Sequence, residues 1–93
     1  MKTIRFDNWL LAQIRALPAA ERREIGQAIR SVQESFGQPH LHQGIGLRKL
    51  SKRHFEIRVG LDLRLVFTNE PAELKFVFMG NHDEVRHFLR GQV

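Results

Sequence analysis

Between His54 and Met79 the sequence alternates apolar with polar residues in three successive runs, each separated from the next by a short turn. Period-two alternation between tight turns is typical of antiparallel strands that bury one face. The predicted strands are His54 to Val59, Leu63 to Thr68 and Glu73 to Met79, with turns at residues 60–62 and 69–71. A shorter strand from Leu47 to Leu50, followed by a turn at residues 51–53, extends this antiparallel sheet.

The first part of the chain has helical periodicity after one short strand. Residues 2–6 alternate and predict that strand, and Asp7 is placed to cap the helix that follows. Pro18 ends the first helix, and Gly37 ends the second. Each helix has one apolar stripe: Leu10, Leu11, Ile14 and Leu17 on the first, and Ile25, Ala28, Ile29, Val32 and Phe36 on the second. We expect both stripes and Trp9 to pack in the core, with the helices forming an antiparallel hairpin.

The remaining segments complete an α+β domain. Residues 37–46 contain three glycines and predict a loop, whereas residues 82–90 predict a C-terminal helix with Val85, Phe88 and Leu89 directed inward. The prediction is one domain over residues 1–93. In it, an N-terminal strand and a helical hairpin pack on an antiparallel sheet of three to four further strands, with the helices on one face.

Alternation along the strands predicts two chemically different faces. The apolar residues of one face are expected to contact the helical hairpin: Phe55, Ile57, Val59, Leu63, Leu65, Phe67, Leu74, Phe76 and Phe78. The opposite face then carries His54, Glu56, Arg58, Arg64 and Lys75. Three cations and a histidine against one carboxylate favour a function for this face in binding an anion.

Composition narrows the class of protein. The net charge of +5 favours a polyanionic partner, either nucleic acid or an acidic protein. The chain has no cysteine, which excludes disulfides and thiolate metal sites and is consistent with the cytoplasm. The sequence has no apolar run that could cross a membrane and no apolar stretch of a signal peptide near its start, so we expect no membrane association.

Three segments resemble a known family. Phe55-Glu56-Ile57-Arg58-Val59-Gly60, Asp62-Leu63-Arg64-Leu65-Val66-Phe67 and Gly80-Asn81-His82-Asp83-Glu84-Val85 are similar to the RelE/ParE superfamily of bacterial toxins from type II toxin–antitoxin systems. The helical hairpin broken at Leu17-Pro18 is similar too, so the likeness covers nearly the whole chain.

The resemblance implies a compact toxin that a cognate antitoxin neutralises, in a system of the kind associated with plasmid stabilisation. In RelE-like branches it implies an endoribonuclease (mRNA interferase) that cleaves mRNA at the ribosome and inhibits translation, with no metal or other cofactor. Two alternatives stay open from the residues: a ParE-like inhibitor of DNA gyrase, and a degenerate toxin that only binds its antitoxin.

The chemistry of RNA cleavage selects candidate catalytic residues. It needs a base for the 2′-hydroxyl proton, cations for the phosphorane and an acid for the leaving 5′-oxygen. Arg58 and Arg64 lie on adjacent predicted strands and can clamp a phosphate, and the resemblance places a functional arginine on the same hairpin. His82 matches a histidine of several RelE-like ribonucleases and can act as acid or base. Glu56 is a candidate base or an ion-pair partner of either arginine.

Further residues are assigned by charge and position. Six cations are predicted to contact RNA: Arg48, Lys49, Lys52, Arg53, Lys75 and Arg86. His40 and His42 are secondary catalytic candidates, because some relatives place an active-site histidine in this loop. The chain has no tyrosine, whereas many relatives use an aromatic hydroxyl late in the sequence. A zinc site is not predicted, since the ligand spacings of zinc hydrolases and structural zinc sites are missing.

Overall fold

The computed structural model describes residues 2–92, except for the side chain of Gln43. These residues form five strands and four helices, in an order close to that predicted from the sequence. They are β1 (Thr3–Phe6), α1 (Asn8–Arg15), α2 (Ala19–Ser35), α3 (Pro39–His42), β2 (Leu47–Lys49), β3 (His54–Val59), β4 (Leu63–Asn69), β5 (Glu73–Gly80) and α4 (His82–Arg90). No helix in the described part of the chain is long and apolar enough to cross a membrane.

All five strands form one sheet in the order β1-β5-β4-β3-β2. β1 pairs in parallel with β5, and the other neighbours are antiparallel. The parallel pairing is possible because a long connection, which includes α1, α2 and the strands β2 to β4, lies between β1 and β5 in sequence. The predicted α+β class, with an N-terminal strand, helices and a mainly antiparallel sheet, is confirmed.

One face of the sheet, the inner face, packs on α1 and α2 and forms the core. Phe67 and Phe76 are fully buried at its centre, 5.0 Å apart between ring centroids. Phe36 closes the end of α2 over them and meets Phe67 edge-on, with the rings 5.7 Å apart. Buried side chains of both helix stripes and of the sheet contribute: Leu10, Ile14, Ile25, Val32, Ile57, Val59, Leu65 and Leu74. Every residue of the predicted helical stripes except Leu11 is therefore in the core or packs against it.

The prediction for Phe78 was wrong, because β5 contains a β-bulge. Val66 pairs with Phe78 whereas Phe67 pairs with Phe76, so Val77 is an extra residue in β5. Beyond the bulge the alternation is reversed, and Phe78 lies on the face opposite Phe67, which we call the outer face. Its ring stacks on Phe88 of α4 at 4.5 Å.

The prediction that all helices lie on one face of the sheet was also wrong, as the stacking of Phe88 on Phe78 shows. α4 packs against the outer face, where Val85 is buried and Phe88 lies between Phe78 and His54. Gly80 allows the tight connection from β5 into α4, since a Cβ at this position would be 2.9 Å from the Cβ of Glu84. α4 therefore divides the polar face of the sheet into separate concave regions.

Three local predictions near the helices also need correction. Trp9 is 53% exposed and stacks on Phe78, so it is not a core residue. Asp7 occupies the N-cap position of α1 without a side-chain capping bond, and its carbonyl accepts from the Leu11 N–H instead. Residues 37–46 are not all loop: α3 starts at Pro39, a favourable first helical residue, and a 3₁₀ turn follows at Gln43–Ile45.

Candidate active site

Arg58 and Arg64 are directly paired across β3 and β4 on the outer face. Like charges at directly opposed positions of an antiparallel pair repel each other, and a bound anion would remove that repulsion. Arg58 is exposed, whereas the Arg64 side chain is only 17% exposed. The pairing follows from the short turn at residues 60–62, which fixes the register between the two strands.

Glu56 is the carboxylate of this cluster and is only 4% exposed. Its Oε2 lies 3.3 Å from Arg48 Nη2 and 3.4 Å from Arg64 Nε, so it holds two arginines at once. The Arg64 Nε–H is buried and makes no aligned hydrogen bond within the described residues. Glu56 was predicted to be either a general base or an ion-pair partner of Arg58 or Arg64. In the structure it forms ion pairs with Arg48 and Arg64.

The arginines line a cavity of about 430 Å³ at the β2 edge of the sheet, which we call the arginine cavity. Arg48, Arg58 and Arg64 share it with Lys49 and a single acidic residue, Glu56. Its other lining residues are Pro39, His42, Gly46 and Leu47. Gly46 has a φ of +74°, and a Cβ added at this position would lie 3.1 Å from the Arg58 Cβ. Glycine therefore lets the backbone at residue 46 approach Arg58 closely. The cavity therefore has a strong excess of positive charge.

His82 and Arg64 both line a second, smaller cavity of about 190 Å³, which we call the histidine cavity. Leu61, Asp62, Asn81 and Asp83 complete its lining. His82 is the first residue of α4 and is exposed. Arg64 is thus the one side chain common to the arginine cavity and the histidine cavity.

The N-terminus of α4 is capped by Asn81 and Glu84, and His82 takes no part in the cap. Asn81 Oδ1 accepts from the Glu84 N–H at 2.8 Å, and Glu84 Oε1 accepts from the Asn81 N–H at 2.8 Å. These reciprocal bonds form a capping box. A capping role for His82 is therefore excluded, and its ring is available for other contacts.

The two loop histidines have different environments. His42 lines the arginine cavity, but its ring stacks on Phe36 and its Nε2 is 3.1 Å from the Ser35 carbonyl oxygen. These contacts give His42 a structural role in holding α3 against the end of α2. His40 is exposed on α3 and is not among the residues that line the arginine cavity.

Four of the six predicted RNA-binding cations lie away from the arginine cavity. Arg53 pairs with Glu70, 3.4 Å between Nη2 and Oε2, and Lys75 lies on β5 near the same end of the sheet. Lys52 is exposed in the β2–β3 turn, and Arg86 is exposed on α4. Four residues of strand separate this end from Arg58, or ~13 Å along the sheet. The structure therefore groups only Arg48 and Lys49 with Arg58 and Arg64.

His54 has the most distinctive environment of the residues that were not predicted to be functional. It lies on the outer face, as alternation indicates, with its ring edge-on to Phe88 and its Nδ1 3.2 Å from Ser51 Oγ. Burial, and to a smaller extent the charge of Arg53, lowers the pKa of His54 from its ordinary value of 6.5. The sequence predicted that His54 lies on the outer face, but it did not predict that Phe88 of α4 contacts it there.

The cluster around Arg64 has the components of phosphodiester chemistry. Arg58 and Arg64 present guanidinium groups that match phosphate oxygens, and His82 adds an imidazole, whose ring nitrogens can donate or accept a proton. Within residues 2–92, no group of three histidine or carboxylate side chains is arranged to hold a metal ion. The arrangement can bind a phosphate and place an imidazole beside it.

Comparisons with known proteins identify the fold. The sequence matches no protein-family model and no curated protein. The structure is similar to that of the isolated E. coli RelE toxin, with a TM-score of 0.66, 16% identity and full coverage of both chains. It is similar to RelE in the archaeal RelE–RelB complex from Pyrococcus horikoshii OT3, with a TM-score of 0.66, 16% identity and coverage of 86% of this chain and 93% of that chain.

A third solved structure extends the likeness to a YoeB protein. The YoeB–YefM complex from Staphylococcus aureus matches with a TM-score of 0.62 and 19% identity, over 88% of this chain and 98% of that chain. The chain therefore has the fold of RelE-type toxins, as the resemblance in its sequence implied.

Proposed function

We propose that this protein is the toxin of a type II toxin–antitoxin system and acts in the cytoplasm as an mRNA endoribonuclease at the ribosome. The RelE-type fold supports the assignment to this class of toxin. The observation that carries the catalytic assignment is the position of Arg64, which lies opposite Arg58 on one side and beside His82 on the other.

In the proposed reaction, the 2′-oxygen of a ribose attacks the adjacent phosphorus and the bond to the 5′-oxygen of the next nucleotide breaks. The products are a 2′,3′-cyclic phosphate and a 5′-hydroxyl, so no water, oxidant or metal ion is consumed. Arg58 and Arg64 bind the non-bridging oxygens and stabilise the charge of the phosphorane. His82 makes one of the two proton transfers, to the leaving 5′-oxygen or from the 2′-hydroxyl, and a water molecule makes the other, so that one proton is lost and one is gained.

Glu56 is assigned a positioning role in this mechanism. A buried carboxylate shared by Arg48 and Arg64 restricts the rotamers of both side chains. Arg64 then presents its guanidinium towards the arginine and histidine cavities before substrate arrives. Preorganised charge of this kind contributes more to catalysis than a flexible cation does.

The ParE-like alternative, inhibition of DNA gyrase, receives no support from the similar structures described above, which are RelE and YoeB proteins. No feature of the described residues favours gyrase as a target over RNA. We therefore retain a single proposed activity.

An antitoxin is the proposed protein partner. Of the similar proteins described above, the archaeal RelE was crystallised with RelB and the Staphylococcus aureus YoeB with YefM. We expect an acidic, partly disordered segment that folds on binding and covers Arg58 or Arg64. Co-purification with the product of the neighbouring gene, followed by hydrogen exchange, tests this partner. Protection absent from residues 54–68 and from the helices would rule it out.

The RNA assignment is tested by mapping cuts in mRNA on programmed ribosomes and by measuring affinity for the ribosome–mRNA complex at several salt concentrations. Replacing Arg58 and Arg64 together by alanine should abolish cutting and lower the salt slope of binding by about 1–2, because two phosphate contacts are lost. Replacing Arg23 and Arg30, two exposed cations of α2, removes the same charge and should leave cutting intact. A folded Arg58/Arg64 variant with an unchanged salt slope would remove the clamp from the proposal.

A further inference from the structure

A third cavity, separate from the arginine cavity and the histidine cavity, lies between the β2–β3 turn and the C-terminal end of α4. Its volume is about 430 Å³, and we call it the turn–helix cavity. The residues of its lining that bear on its chemistry are Leu50, Lys52, Arg53, His54, Leu89 and Arg90. A cavity of this size is within the range that holds small organic ligands.

The lining combines apolar surface with positive charge. Leu50 and Leu89 are half-buried, and Lys52 and Arg90 are exposed beside them. None of the lining side chains is a carboxylate. Lys52 and Arg90 form no ion pair within residues 2–92, whereas Arg53 is paired with Glu70 from outside the cavity. Two cations therefore remain to attract an anion to an apolar surface.

His54 adds a polar group at the junction of this cavity with the sheet. The Ser51 hydroxyl and the Phe88 ring hold the imidazole in place. Because partial burial disfavours its protonation, the ring offers hydrogen bonding rather than a third full charge. A neutral imidazole suits the polar edge of a nucleobase, which both donates and accepts.

We propose that the turn–helix cavity binds one nucleotide of single-stranded RNA that flanks the cleavage point. The base packs on Leu50 and Leu89, and its phosphate contacts Lys52 and Arg90. This inference rests on the proposed function, because it takes the substrate to be RNA. It adds a binding site that is distinct from the residues assigned to cleavage.

The position of the cavity relative to Arg58 supports an RNA strand as the occupant. His54 and Arg58 lie on the same face of β3, four residues or ~13 Å apart, a distance that a few nucleotides span. A strand held at Arg58 and Arg64 therefore needs only a few nucleotides to reach the turn–helix cavity. Cations near helix C-termini also complement the helix dipole, which accounts for Arg90 but not for Lys52 in the turn.

The test measures binding of a fluorescein-labelled single-stranded RNA, made uncleavable by 2′-deoxy substitution, by anisotropy at several salt concentrations. Lys52→Ala with Arg90→Ala should weaken binding about tenfold and lower the salt slope by about 1–2. Arg23→Ala with Arg30→Ala is the control for the same loss of charge and should change affinity by less than about twofold. Equal affinities for the two double variants would overturn the proposal.

A second measurement locates the ligand. Adenosine monophosphate should shift the amide resonances of Leu50, His54 and Leu89 in the 93-residue protein, and Leu50→Ala should weaken that binding. If polyglutamate shifts these resonances and the nucleotide does not, the cavity is a docking site for an acidic protein and the RNA proposal is wrong.

The two proposals fail separately. If the protein cleaves no RNA on ribosomes, yet RNA binding still depends on Lys52 and Arg90, the proposed activity is wrong and the nucleotide site stands. If cleavage depends on His82 but RNA binding does not depend on Lys52 and Arg90, the activity stands and the nucleotide site is wrong.

Discussion

The inner and outer faces of the sheet are formed by the same strands but differ in which side chains they carry and in what covers them. The inner face joins α1 and α2 in a core of aliphatic and phenylalanine side chains that exclude water. The outer face carries Arg58, Arg64 and the buried Glu56, and α4 covers only part of it. The inner face therefore contains most of the buried apolar side chains, whereas the outer face holds charged side chains and the cavities that they line.

The first prediction concerns the centre of the inner face. Phe67→Ala removes a fully buried ring that contacts Phe36, Phe55 and Phe76, so we expect a loss of about 3–5 kcal/mol in unfolding free energy. Urea denaturation should show a lower midpoint with an unchanged slope. A loss below about 1 kcal/mol would mean that the inner face is not the main source of stability.

The second prediction concerns the buried charge of the outer face. Glu56→Gln leaves Arg48 and Arg64 without their carboxylate, and we expect a loss of about 2–3 kcal/mol, below that of a fully buried pair because Arg64 keeps some exposure. Urea denaturation measures the loss. Glu56→Gln should also lower RNA cleavage per folded molecule, because Arg64 is no longer held in place. Stability equal to that of the parent would show that the ion pairs are not formed in solution.

The third prediction tests how firmly α4 is attached. Phe88→Ala removes the ring that stacks on Phe78, and because this contact is half-exposed we expect a loss of about 1–2 kcal/mol. Hydrogen exchange should accelerate in α4 more than in β4. Arg86→Ala, on the exposed side of the same helix, is the control. Uniform acceleration over the whole chain would show that α4 unfolds only with the core.

The fourth prediction is a pH effect at the other end of the outer face. The pKa of His54 is lower in the folded chain than in the unfolded chain, so protons bind preferentially to the unfolded state between these two values. The contribution of His54 is complete above pH 6.5 and is lost as the pH falls towards the folded pKa. The parent should therefore lose slightly more stability than His54→Gln below pH 6.5. Parallel stability curves for the two proteins would contradict the burial of His54.

The inner face was largely predictable because alternation and helical spacing report directly on burial. The predicted bounds of β3 and α4 agree with the structure, because tight turns flank β3 and the apolar spacing of α4 is helical. Phe78 was assigned to the wrong face because a β-bulge depends on how two strands pair, and the sequence of β5 alone does not show it. Trp9 was assigned to the core together with the helical stripes, but it is exposed and stacks on Phe78.

The outer face was predictable only in part. The opposition of Arg58 and Arg64 follows from a short hairpin, and the structure contains it. His82 and Arg64 are 18 positions apart in sequence. They line the same cavity only because of where α4 crosses the sheet. The turn–helix cavity has the same origin, since Leu89 and Arg90 approach the β2–β3 turn only in the folded chain. The catalytic roles of these residues stay predictions.

The most direct test of the proposed activity is single-turnover cleavage of ribosome-bound mRNA by the parent, by His82→Gln and by His87→Gln. His87 is a matched control, because it is exposed on α4 but lines a different cavity, with Phe78 and Phe88. Glutamine keeps hydrogen bonding but cannot titrate, so His82→Gln should cut roughly 10²–10⁴ times more slowly, while His87→Gln should match the parent. Equal rates for all three proteins, or no cleavage by the parent, would contradict the assignment of catalysis to His82 beside Arg64.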